Sequence, residues 1–221
     1  MIFGSIESER SEKLKTLLTD CVDTEVRKTT EAVYEHLSGN VRQRWDETLK
    51  FALHQEYGAR DLDKYYVTHP LRLCRFLAKS LDRSYPHFEE VLTAAIIHNV
   101  IEKKVYSHSE LSTRYTPWVA DAILTLTPDR KSLQTEEGKH RYYAGISGHG
   151  KDVKALKIFD KFDNLFSVCL CPDPTIREEY LLEAEMHLRP FIEELFPDLT
   201  LYFDDLIEDN RQLGYFRPTV D

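Results

Sequence analysis

The stretch VLTAAIIHNVI at residues 91–101 decides how the rest of the chain is read. Its apolar and small residues leave almost no polar face, so as a helix it is apolar nearly all round. Such a helix belongs at the centre of a bundle, because every side has to be covered. Pro86 is placed to open it. Outward from this stretch, apolar residues recur at three- and four-residue spacing. Leu14, Leu17, Leu18, Cys21, Val22, Val26, Val33 and Leu37 form one stripe, and Trp45, Leu49, Ala52 and Leu53 predict a helix ending near Gly58. Pro70 suits the first turn of a third helix, which carries Leu71, Leu73, Cys74, Phe76, Leu77 and Leu81. Ser107 and Glu110 have capping-box spacing for a short helix. Residues 118–126 and 154–170 continue in helical period, Pro190 should divide a helix over 175–195, and 199–213 form a last one.

Composition agrees with an all-α fold. The 221 residues include only 8 glycines and no Asn-Gly or Asp-Gly pair, which leaves little material for hairpins. One stretch, residues 128–151, breaks the helical pattern. It holds Gly138, Gly145, Gly148 and Gly150, and SGHGKD reads as an exposed turn. The balance of 38 acidic against 29 basic residues gives −9, which argues against a nucleic-acid partner. No apolar run reaches the roughly 18 residues of a membrane span, and the N-terminus has no signal-peptide core. A soluble, cytoplasmic protein is expected. Cys21, Cys74, Cys169 and Cys171 lack zinc-site spacing and read as buried small hydrophobes. Against the overall charge, residues 130–161 hold eight Lys/Arg and four Asp/Glu. They form either a solvated face or a collar for a small anion.

Several polar residues do not suit a core helix. His98 and Asn99 interrupt the apolar stretch, and unsatisfied they would cost a few kcal/mol. Glu102 follows His98 at i+4, on the same face of a helix. His69 precedes Pro70 where an extended approach becomes helix, and Asp160 lies among Ile158, Phe159 and Phe162, with Asn164 one turn on. A hydrogen-bonded core histidine accounts for His98 as well as a ligand does. For His69 alone, a helix-start residue with no further duty is the simpler reading.

Taken together, THPLRL, AAIIHNVIE and KIFDKFDNL resemble the HD superfamily of metal-dependent phosphohydrolases. The likeness is greatest to the RelA/SpoT-type hydrolase domain and its small stand-alone relatives, which remove pyrophosphate from the 3′ position of (p)ppGpp. It spans about residues 53–195. It implies one helical-bundle domain over 1–221, with helices at 9–50 before that core and an extension at 199–221 after it. The extension is expected to cap the bundle, with a homodimer contact as the alternative.

Carried over by position, the resemblance makes His69, His98, Asn99 and Asp160 metal ligands, Mn²⁺ being the expected ion. Glu102 matches the first carboxylate of a catalytic pair, and Asn164 a nucleotide-contacting asparagine. Arg60 falls where the family has an arginine, and Arg177 and Tyr180 lie near substrate-reading positions. Lys139, Arg141 and Lys161 are candidates to neutralise phosphate, and Tyr65 or Tyr66 to stack on a purine. Two positions depart from the pattern: Asn99 replaces the aspartate of the HD pair, and Lys103 replaces the second catalytic carboxylate. Asn99 is a neutral, weaker ligand, and Lys103 brings a cation where an acid would move protons. The expected function is hydrolysis of a nucleotide (pyro)phosphate; the alternative is a degenerate member that binds a nucleotide or a partner without hydrolysis.

Overall fold

The structure is a computed structural model that describes residues 2–17, 19, 21–55 and 66–213, and among these every regular element is a helix. In chain order these are α1 (Ile2–Thr16), α2 (Val22–Tyr34), α3 (Gly39–Leu53), α4 (Thr68–Ser80), α5 (Phe88–Ile97) and α6 (His108–Arg114). They continue as α7 (Pro117–Leu126), α8 (Glu136–His149), α9 (Lys151–Leu165), α10 (Pro174–Glu183), α11 (Arg189–Leu195) and α12 (Thr200–Leu213). The long first stripe is therefore two helices. Residues 56–65, with Gly58, Arg60 and Tyr65, lie outside the described residues, as do Leu18 and residues 214–221.

The centre of the bundle is α4, packed against α2, α5 and α9. Leu71, Leu73 and Leu77 of α4 meet Leu92 and Ile96 of α5 and Phe159 and Phe162 of α9 in one buried cluster. Phe162 also stacks on Tyr202 of α12, which packs that helix against the bundle. Even the arginines of α4 are buried. Arg75 donates from Nε to Glu9 of α1 at 2.9 Å and from a terminal nitrogen to Glu25 of α2 at 2.8 Å. Lys79 adds a third cation contact, to Glu9 at 3.2 Å.

Three local outcomes differ from the sequence reading. First, α5 ends at Ile97 rather than near 101. The His98 ring donates from Nδ1 to the Ala95 carbonyl at 2.8 Å, satisfying an acceptor that the next helical turn would have used. The chain then turns through 98–104, Lys104 takes a left-handed conformation (φ 57°), and the Val105 amide returns to the Val100 carbonyl at 2.8 Å. His98 and Glu102 therefore sit on a tight turn, not on one helix face.

Second, most of 128–151 is helix. Thr135 caps α8 by accepting from the Gly138 amide at 3.1 Å, and Tyr143 and Ile146 anchor its buried side. Gly138 is there for closeness, since a Cβ on it would stand 1.8 Å from the Ser132 carbonyl oxygen. Only Gly150, at φ +112°, makes the turn that SGHGKD promised. Third, α9 stops at Leu165 and a 3-10 turn, Val168–Leu170, carries the chain on. The division near Pro190 does occur, as a π-helical turn at Ala184–Leu188. The capping box of Ser107 and Glu110 is present. Of the four cysteines, Cys74 and Cys169 are buried, whereas Cys21 and Cys171 are half-buried.

The Arg75 cluster should be measurable. Arg75→Met leaves Glu9 and Glu25 buried without their cation and is expected to cost about 3–5 kcal/mol in urea denaturation. Burial alone would raise the Glu9 pKa, but Arg75 and Lys79 outweigh it and hold the carboxyl below its ordinary 4.5. Its contribution to stability is therefore complete above about pH 4.5 and fades as pH falls through the lower folded value. In Glu9→Gln that acid-dependent loss should shrink; an unchanged pH profile would contradict the assignment.

Candidate metal centre

Three side chains from α4, the α5 terminus and α9 converge. His69, in the first turn of α4, is fully buried. It donates from Nδ1 to Asp163 Oδ2 at 2.7 Å, so in the neutral imidazole its other nitrogen carries the lone pair. That nitrogen, Nε2, makes no hydrogen bond and lies 3.2 Å from Asp160 Oδ1. His98 spends its Nδ1 proton on Ala95, so its Nε2 also carries a lone pair, 4.0 Å from the same Asp160 oxygen. The two rings stand edge to face at 5.1 Å, and one donor atom from each of the three residues falls within 4.8 Å of the others. His69 Nε2 and Asp160 Oδ1, two acceptors 3.2 Å apart in a buried pocket, repel unless a proton or a metal cation lies between them. The donor set, two neutral imidazoles and a carboxylate, suits a divalent transition metal.

Asp160 stays ionised. Burial would raise its pKa, but the Lys157 ammonium beside it helps hold the carboxyl well below the usual range. Lys157 donates to its Oδ2 at 3.0 Å, leaving Oδ1 toward the histidines. Asn164, one turn on, donates to the Asp160 carbonyl at 2.8 Å and to Oδ1 at 3.3 Å. Asn99 donates its amide to His98 Nε2 at 2.6 Å. In that orientation it covers the lone pair; turned over, it offers an oxygen instead.

The residue that holds this arrangement was not singled out in the sequence. Asp163, fully buried on α9, accepts a hydrogen bond from His69 Nδ1 and also from Arg72 Nε at 2.6 Å and Lys13 Nζ at 3.1 Å. The two cations, outweighing burial, keep its carboxyl well below the ordinary range. A charged acceptor on the outer nitrogen fixes both the tautomer and the orientation of His69. Arg72 follows His69 at i+3 on α4, so one helix face supplies both partners. Lys13, from α1, could not be placed from sequence.

His98 and Asp160 open onto a cavity of about 380 Å³, and His69 lies outside its lining. His98, Asn99, Glu102, Asp160, Lys161, Asn164 and Tyr180 line it. Lys139, Arg141 and Arg177 do not: the first two pair with Glu136 and Glu137 on α8, and Arg177 donates to the Cys171 carbonyl at 2.6 Å. Lys103 is exposed, with its ammonium 5.3 Å from the Tyr66 ring centroid, away from the lining. Tyr66 is buried against His69; the aromatic faces on the cavity are Tyr142 and Tyr180. The basic collar is thus narrower than residues 130–161, and it is partnered. Lys157 pairs with Asp160 and Lys161 with Glu183. Arg130 pairs with Glu102, with Nε at 3.1 Å. Burial, then the neighbouring Lys157, push Lys161 down to about 8 against the pull of Glu183.

These pairs are not equivalent. Breaking a buried one leaves an uncompensated charge at about 3–5 kcal/mol, whereas an exposed one is worth about 0–1 kcal/mol. Asp163→Asn is expected to destabilise the chain by about 3–5 kcal/mol, because Arg72 and Lys13 lose their counter-charge. Arg72→Met in the same chain should recover part of that loss. A thermal denaturation change of less than about 1 kcal/mol would show that the cluster is not what holds α1, α4 and α9 together.

The chain matches no protein-family model. A stretch of 77 residues, 35% of the chain, is 32% identical to the guanosine-3′,5′-bis(diphosphate) 3′-pyrophosphohydrolase MESH1 of Drosophila melanogaster and spans 42% of that protein's length. A solved structure, described as a metazoan ortholog of SpoT that hydrolyzes ppGpp and plays a role in starvation responses, superposes with a TM-score of 0.61. The superposition covers 78% of this chain and 97% of that one at 24% identity, and shows a shared fold. In its all-α fold, and over those 77 residues in its sequence, the chain is similar to proteins named for ppGpp hydrolysis.

Proposed function

We propose that this chain is a metal-dependent phosphohydrolase acting on a nucleotide that carries a pyrophosphate, with ppGpp as the reference substrate. The observation that carries the reading is His69 Nε2, buried, without a hydrogen bond and 3.2 Å from Asp160 Oδ1. His69, His98 and Asp160 would hold the ion, with Asn99 as a fourth, neutral donor once its amide is turned over. A divalent metal in such a site, Mn²⁺ being the ion the resemblance implies, would act as a Lewis acid and make water a nucleophile near neutral pH.

The chain's own residues do the rest. Asp163 and the Ala95 carbonyl hold the outer protons of the two histidines, so both inner nitrogens face inward. Glu102 lines the cavity and is the carboxylate placed to orient a water or take its proton. Lys103 is turned toward Tyr66, so no second acid assists it from that position. Lys161 and Arg130 supply positive charge to phosphate, and Tyr142 and Tyr180 offer faces to a base. MESH1 and the solved SpoT ortholog, both named for ppGpp hydrolysis, support the choice of substrate. Among the described residues no helix is long and apolar enough to cross a membrane.

One observation favours the non-catalytic reading. The Asn99 amide, 2.6 Å from His98 Nε2, occupies the lone pair a metal needs. The two readings separate on pyrophosphate release from ppGpp with millimolar Mn²⁺. Turnover is expected, lost on chelation and reduced roughly 10²–10⁴-fold in Glu102→Ala. Asn99→Asp should tighten Mn²⁺ binding, seen as a larger Mn²⁺-dependent rise in melting temperature. No turnover together with no Mn²⁺-dependent melting shift in either chain would overturn the hydrolase reading.

A further inference from the structure

Among the described residues four lysines and arginines line the cavity, and each has a carboxylate partner: Lys13 with Asp163, Lys157 with Asp160, Lys161 with Glu183 and Arg130 with Glu102. The three lysines are buried, and pulling any of them toward a ligand strands a carboxylate inside the protein. Arg130 is different. Its side chain is 75% exposed and that of Glu102 25%. It stands on the wall formed by Pro128 and Leu133, in the connection between α7 and α8. Both its Nε and a terminal nitrogen point at one oxygen, Glu102 Oε1.

An exposed pair of this kind exchanges partners at little cost. A phosphate group, by contrast, presents two oxygens to the two parallel N–H groups of a guanidinium and carries more charge than a carboxylate. The geometry points to Arg130 as a phosphate-exchanged latch on Glu102. In the free chain the arginine neutralises the carboxylate. When a phosphoanion enters, Arg130 moves to it, and Glu102 is released to accept a proton only while substrate occupies the cavity. Arg130 is thereby a specificity-determining residue, favouring substrates that bring a phosphate to the cavity mouth. The release of Glu102 matters for catalysis only on the hydrolase reading above; the exchange of partners does not depend on it.

The test is calorimetric titration with inorganic pyrophosphate. Arg130→Gln is expected to weaken binding about tenfold, with Arg130→Lys between it and the wild type because the fork is lost and the charge kept. Glu102→Gln should tighten binding roughly threefold by removing the competitor. In the Arg130→Gln background that gain should vanish. Full affinity in Arg130→Gln, or a Glu102→Gln gain that persists without the arginine, would overturn the latch, the second because it reports only bulk charge. A chain that shows the coupling but leaves ppGpp intact keeps the latch and loses the hydrolase. A chain that hydrolyses ppGpp with KM unchanged in Arg130→Gln keeps the hydrolase and loses the latch.

Discussion

The carboxylate of Asp163 joins the fold to the site. Fully buried, it accepts hydrogen bonds from His69 and Arg72 of α4 and from Lys13 of α1, while itself belonging to α9. Two cations on one buried anion compensate for its desolvation, and the third contact turns that electrostatic anchor into a geometric one. Removing the anchor would free the His69 ring, and Nε2 would no longer be held toward Asp160. Stability and site geometry therefore rest on the same atoms.

A second consequence concerns the ends of helices. The C-terminus of α5 carries unsatisfied carbonyls and the negative end of a helix dipole, a favourable place for a cation. His98 stands at that end and uses one carbonyl to set its own tautomer. Ending the helix at Ile97 rather than near 101 brings Asn99 and Glu102 round to the cavity in place of the next turn of helix. Lys103 and Lys104 are left outside, exposed.

How much of this was legible in the sequence follows from the range of the interactions. The apolar spacing of α3, α4, α7 and α12 is local, and so is the capping box at Ser107; both were readable. The convergence of His69, His98 and Asp160 was visible through the resemblance, and the structure brings them within 4.8 Å. In KIFDKFDNL, however, Asp160 and Asp163 look alike. One faces the cavity and the other lies beneath His69, and only partners 91 and 150 residues away distinguish them. Glycine count misled at α8, where Gly138 serves a close approach to Ser132 that no local rule reveals. The charge excess over 130–161 marked the right segment but not which cations turn inward, because that depends on Glu102, Asp160 and Glu183.

The central claim is that His69 Nε2, His98 Nε2 and Asp160 Oδ1 are arranged for a divalent cation. Anomalous diffraction from crystals of the chain soaked in Mn²⁺ tests it most directly. The account predicts one strong peak in bonding contact with all three atoms and the Asn99 amide turned with its oxygen inward. No peak there, with Asn99 still covering His98 Nε2, would contradict it.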